Sequence, residues 1–431
     1  MGSLRLKCAA FAFLFCGSSV LWAQEPDPRQ RLRSVRELAR TGEDGIPKLS
    51  YYTTDGDLQV KLEAVKALVS IGGPKTLDGL VRAARENDAE VQIRATDGLV
   101  NVYLPGYIKN GLSGSISRVG NQVRAKFNPG DDRMIDPFVE VRPDVIAALG
   151  KLVRGGASVE TRANAARAVG VLRGNGALPD LYEALRSKDD TLMLESLDAI
   201  EKIGDPSAAP RIVFLLRDLD DRIQSQALRI NGMFRNRDAA PQIREAVNDA
   251  RSNVVKRAAV TALAQLALSA DHPVFLANLS DKDEEVRAGA VEGLGRLANP
   301  VDRMAIDQFF NSARSMNGRL AAAFALVNLG DVSTERYSPL KYLVNTLNQK
   351  NSKGTASAYL VELARKDQTR AALHEATSTA TKDEKIEIAG ILARVAARDS
   401  LPTLEALSND PEPDVAREGI RQLRALRAQV R

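Results

Sequence analysis

The chain has 431 residues, 44% hydrophobic and 27% charged, a balance that excludes an intrinsically disordered protein. Aromatic residues make up only 5%, so aliphatic and small side chains must fill the core. The formal net charge of +5 is a small surplus of 60 basic over 55 acidic residues, with both signs interspersed, which argues against a nucleic-acid binder.

The first element reads as a leader. Arg5 and Lys7 form a positive start, and Cys8 to Trp22 is a run of apolar and small residues. The run is too short and too poorly flanked to span a membrane, and Ala23 offers a cleavage point before Gln24, Glu25 and Pro26. Residues 1–23 are therefore expected to be a secretory signal peptide. Phe15 before Cys16 argues against a lipidated cysteine, and Leu6 argues against myristoylation of Gly2. Cleavage would remove Cys8 and Cys16, the only cysteines, and Trp22, the only tryptophan, and would leave a net charge of +3. The mature chain would then lack disulfides and thiolate ligands, and its location would be periplasmic or extracellular.

From there the chain repeats itself. Val60, Ala64, Leu68 and Ile71 mark apolar or small positions at offsets 0, 4, 8 and 11. The same frame returns at Val91, Thr161, Leu192, Val255, Val286, Gly318 and Val415, with weaker copies near Ile223, Thr355 and Lys385. Offsets of 4, 4 and 3 trace one face of an α-helix. Starts at 161, 192, 223, 255, 286 and 318 give a period of 31 to 32 residues. A second, shorter helix precedes each copy, opened by Pro179, Pro210, Pro241, Pro273, Pro339 or Pro402. Proline suits a first helical turn because its missing N–H had no partner there. Asp189-Asp190 and Asp281 to Asp283 mark turns within pairs, and Gly204-Asp205-Pro206 and Gly330-Asp331 mark turns between them.

One stretch breaks the period. From Val91 to Thr161 is 70 residues, one repeat plus an extra 39, which places an insertion at 103–141. Gly120-Asn121, between residues 115–119 and 122–127, reads as a β-hairpin turn, and residues 138–141 as a third strand. Insertions into repeats emerge on one face, often the binding face. This one supplies Tyr103, Tyr107, Phe127 and Phe138 to a chain poor in aromatics, together with Arg118, Arg124 and Lys126, and these seven are the candidate partner-binding residues. The frames on either side look complete without it.

The Val286-Arg287 pair, Ala290, Leu294-Gly295-Arg296-Leu297 and the Ile203-Gly204-Asp205-Pro206 turn resemble the HEAT repeat, in the short form of phycobilisome-lyase-type bacterial proteins. The resemblance spans residues 29 to 431 apart from the insertion, although the period is shorter than the usual length of about 40. It implies an all-α HEAT-like α-solenoid, a right-handed superhelix of about eleven helix pairs, with repeats at 24–102 and 142–431. With helices about 8–10 Å apart, such an array would be on the order of 100 Å long. The second helices would line an extended groove.

Chemistry is sparse. His272 precedes Pro273 at a repeat boundary, where a capping or solvated role is expected. His374-Glu375 is a single pair, whereas hydroxylases resembling deoxyhypusine hydroxylase bind two irons through several such pairs, so a surface histidine is expected. No Gly-x-Ser-x-Gly elbow, phosphate loop or dinucleotide fingerprint occurs. Asp131-Asp132 lacks calcium-loop spacing. Arg417, Arg421, Arg424, Arg427 and Arg431 stripe the last helix, and are read as the solvated face of a terminal repeat. The expectation is a non-enzymatic extracytoplasmic scaffold, without cofactor, metal or nucleic acid, that binds a protein or peptide. The competing readings are a bilin-lyase-like or metal-hydroxylase-like enzyme or accessory, and a polyanion-binding surface protein.

Overall fold

The computed structural model describes residues 27–108, 133–136 and 138–430. A single helix, Pro28–Arg40, precedes eleven helix pairs among these residues, from Ile46–Tyr52 with Leu58–Ile71 to Leu401–Ser408 with Pro413–Gln429. Successive second helices pack on one another, which makes the array a helical solenoid. No strand occurs among the described residues, and no helix there is long and apolar enough to cross a membrane. The leader and the Gly120-Asn121 hairpin lie outside the described residues. Residues 138–141 form a turn and irregular chain, not the expected third strand.

Each second helix is specified by three recurring signals. The frame positions are core: Val60, Ala64 and Leu68, Val255, Ala259 and Leu263, and Val286, Ala290 and Leu294 are all fully buried. Three residues before most frame starts sits a cap whose side chain accepts a backbone N–H of the first turn. Asp57, Asp88, Asp189 and Asp283 do this, as do Ser158, Ser252, Ser315 and Thr381. Twelve residues after the start the backbone turns left-handed to end the helix, at Gly72, Arg173, Gly204, Arg235, Ala267, Ala298, Gly330 and Ala396. Aligned on burial, two weaker copies begin at Ala356 and Glu384, one residue from the expected positions; the second carries the cap and the left-handed turn, and the first shares only the buried frame.

Small residues let these helices approach. A Cβ added to Gly170 would lie 2.8 Å from the Ala199 Cα, one on Gly232 2.6 Å from the Ala262 Cα, and one on Gly295 2.5 Å from the Ala325 Cα. Ion pairs tie neighbouring repeats. Lys61, Lys256 and Lys385, each one residue past a frame start, reach Glu86, Asp281 and Asp410 at 2.6, 2.5 and 2.7 Å.

The first helices follow the proline series with one departure. Pro179, Pro241, Pro273, Pro339 and Pro402 stand at the first or second position of their α-helices. Pro210 instead lies inside a 3₁₀ stretch, Pro206–Arg217. Its ring removes the N–H that an α-helix begun at Pro206 would need.

The core is divided. One cluster runs from Val35 to Leu326 and a second from Leu320 to Leu426. Helix Met316–Asn328 belongs to both: Ala321, Ala322, Ala325 and Leu326 face the first, and Leu320, Ala323, Phe324 and Val327 the second.

Candidate interaction surface

The insertion leaves the array at the end of helix Ala89–Tyr103 and rejoins it at helix Pro143–Gly155. Its two ends are tied together, because the Tyr103 hydroxyl accepts a hydrogen bond from the Arg142 N–H at 3.2 Å. The Tyr107 ring lies 5.1 Å from the Arg133 guanidinium. Tyr103 and Tyr107 are half-buried against the core. Phe127, Arg118, Arg124 and Lys126 lie outside the described residues.

The returning segment does more than close a loop. Ile135 is 4% exposed, and its N–H donates to the Val171 carbonyl at 3.0 Å. This corrects the expectation that the flanking frames are complete without the insertion. A lone isoleucine among prolines and aspartates gives no periodic signal, so it escapes a search for stripes. Immediately after it the chain turns. The Val139 N–H donates to the Asp136 carbonyl at 3.0 Å, and Phe138 at the corner is 94% exposed. Beside this turn runs a groove of about 380 Å³. Ile135, Val141, Ile146 and Leu172 supply its apolar lining, and Asp136 and Arg173 its charged groups.

The opposite arm is closed upon itself. On helix Glu284–Leu297, Glu292 and Arg296 pair at 2.8 Å, each side chain 9% exposed. Helix Lys353–Leu363 brings Tyr359 and Glu362 against them: the Tyr359 hydroxyl donates to Glu292 Oε2 at 2.8 Å, and Arg296 also pairs with Glu362. Arg235, from a turn far upstream, reaches the same Glu362 carboxylate at 3.8 Å. The Phe324 ring stacks on Tyr359 at 4.6 Å and lies under the Arg296 guanidinium at 4.8 Å. Burial, reinforced by the Glu292 carboxylate, holds the Tyr359 phenol well above its usual range. Burial opposes the charge on Arg296, but Glu292 and Glu362 outweigh it and raise the guanidinium further. Here the second helices face each other across a filled cluster and not an open groove.

The histidines hold structural partners. His272 Nε2 lies 2.9 Å from Asp302, one of a series of pairs from a first helix to the turn before the next first helix that includes Arg303–Asp331 at 3.2 Å and Arg370–Asp399 at 2.7 Å. His374 is half-buried with Nε2 3.1 Å from the Ser400 hydroxyl, and not the surface residue expected. Burial lowers its pKa, with Asp399 opposing and Arg370 assisting. Glu375 is exposed, and no group of three or more metal-ligating side chains occurs among the described residues. Along the last helix Arg417, Arg421 and Arg427 pair with Asp414, Glu418 and Glu405, which neutralises most of the basic stripe. Arg431 lies outside the described residues.

No curated protein matches the chain. Solved structures similar to it include the complex of CpcE and CpcF of phycocyanin lyase from Nostoc sp. PCC7120, at 18% identity over 62% of this chain and 92% of that one, with a TM-score of 0.36. Importin beta is similar at 12% identity over 94% of this chain and 67% of that one, with a TM-score of 0.37. Human deoxyhypusine hydroxylase in complex with glycerol is similar at 16% identity over 68% and 98%, with a TM-score of 0.26. The sequence profile of HEAT repeats matches residues 20–100, 146–227 and 209–295, more than half of the chain. The chain belongs to the HEAT-repeat family.

Proposed function

We propose that this protein is a non-enzymatic scaffold, exported by its leader, that docks a protein partner through the face carrying the insertion. The observation that carries the reading is Phe138, held outward at the corner of a hydrogen-bonded turn beside an apolar groove. A displayed aromatic next to a largely apolar groove is a common anatomy of an interface hot spot. The closed Glu292–Arg296–Glu362 cluster favours this face over the second-helix groove. Export rests on the positive start, the apolar run and Ala23.

Two measurements test the reading. Mass spectrometry of the protein from its own cells should give an N-terminus at Gln24, and an uncleaved chain would sink export. Crosslinking in the cell envelope should give a partner adduct that Phe138→Ser abolishes. An adduct indifferent to that change would move the site elsewhere.

A further inference from the structure

We infer that the occupant of the groove is a second copy of this chain, docked about a two-fold axis so that Phe138 of each copy enters the groove of the other. The inference rests on the reading that the insertion face is the binding surface, and it names the partner.

Three observations carry it. The first is the ridge. Phe138 is the most exposed of the large hydrophobic residues among those described, and Met134 and Val139 beside it are also exposed. An apolar ridge of this kind is stable in water only at a cost that association removes. The hydrogen bond from Val139 to Asp136 fixes the backbone of the turn whose corner carries Phe138.

The second is size. About 380 Å³ between Ile135, Val141, Ile146 and Leu172 accommodates an aromatic side chain and its neighbour. The ridge and the groove share a wall, since Ile135 and Val139 both line the groove. A knob and a hole side by side on one surface are self-complementary under a two-fold rotation, which closes at two copies and leaves no open end.

The third is charge. The groove carries one acid, Asp136, and one base, Arg173. Among the described residues no ion pair joins these two side chains. The Arg173 Nε donates to the Lys202 carbonyl at 3.4 Å, and its terminal guanidinium nitrogens have no partner among the described residues. A two-fold rotation brings Asp136 of one copy to Arg173 of the other, twice. Translation or stacking in the same sense would make only one such match. The contact is small beside a standard interface of about 1,600 Å², so a reversible dimer is expected.

Sedimentation equilibrium of the purified, leader-free chain over about a hundredfold range of concentration tests this. The expected result is a monomer–dimer equilibrium. Phe138→Ser should raise its dissociation constant about thirtyfold, as loss of a hot spot does, with helical circular dichroism unchanged because the side chain is exposed. Asp136→Arg and Arg173→Asp should each weaken the dimer, and the double variant should restore it. Aspartate tolerates the left-handed backbone at 173, where φ is 49°. A monomer at every concentration, a dimer indifferent to Phe138→Ser, or a double variant weaker than either single one would overturn the inference. A strict monomer whose Phe138 still governs the envelope adduct would refute self-association and leave the proposed scaffold function standing.

Discussion

Tyr359 donates its phenolic hydrogen to Glu292 across a separation of 67 residues, passing over the intervening helix Met316–Asn328. That helix contributes Phe324 to the contact, its ring stacked on Tyr359 and lying under the Arg296 guanidinium. The bond is one edge of a closed set in which Arg296 neutralises two carboxylates and Phe324 covers the guanidinium.

Removing the shared cation should therefore be severe. Arg296→Met leaves the buried Glu292 without a base, while the partly exposed Glu362 keeps Arg235 at 3.8 Å, and should destabilise the protein by about 3 kcal/mol. Urea unfolding of the variant checks this. A loss below about 1 kcal/mol would mean that water replaces the arginine at no cost.

The His272–Asp302 pair should respond in both directions. Its neighbours in the series use arginine, so His272→Arg makes the charge permanent and should stabilise by up to about 1 kcal/mol at neutral pH. His272→Ala leaves the Asp302 carboxylate, 6% exposed, without its imidazole and should cost about 1–3 kcal/mol. Thermal unfolding of the two variants should bracket the parent.

Position matters more than residue type in two alanine–glycine exchanges a few residues apart. Ala298 ends its helix at φ 52°, so Ala298→Gly should stabilise by about 0.5–1 kcal/mol. Gly295 lies against the Ala325 backbone, so Gly295→Ala should cost about 1–3 kcal/mol by forcing two helices apart. Chemical denaturation of the pair should give opposite signs. A gain from Gly295→Ala would show that the helices do not pack as closely as described.

Strong acid should act through one cap. Asp220 caps helix Asp221–Met233 and pairs with Arg222, whose hydrogen bond lowers its pKa to about 2. The folded value lies below the unfolded one near 4, so the stabilisation is complete above about pH 4 and is lost as pH falls through about 2. Carboxyl NMR should show Asp220 titrating near that value. Asp220→Asn should lower stability at pH 7 and have little further effect near pH 2.

The eleven pairs were readable because one frame recurs with the same residue classes: Val60, Val255 and Val286 start copies that end up equally buried. The paired approach of Gly170 to Ala199, Gly232 to Ala262 and Gly295 to Ala325 is also written in the frame, nine positions into one copy and seven into the next. It becomes visible only when two copies are laid side by side and not one beneath another. The Tyr359 cluster is different. Helix Lys353–Leu363 departs from the period, and nothing local at Tyr359 or Glu362 reports a partner two helix pairs away. The groove escaped for the same reason, since it joins Ile135 and Val141 to Leu172 and Arg173 across a whole helix pair. Phe138 was legible as an aromatic in an insertion, but its display depends on a turn, a property of backbone geometry.

Helix Met316–Asn328 gives the array an unusual weak-link logic. Solenoids ordinarily melt from their ends, because each repeat leans only on its neighbours. Here one thirteen-residue helix is shared wall to wall by both cores, and neither can be sealed without it. Loss of that single element would uncover both hydrophobic faces at once, so the stability of each arm is coupled to the other through this helix.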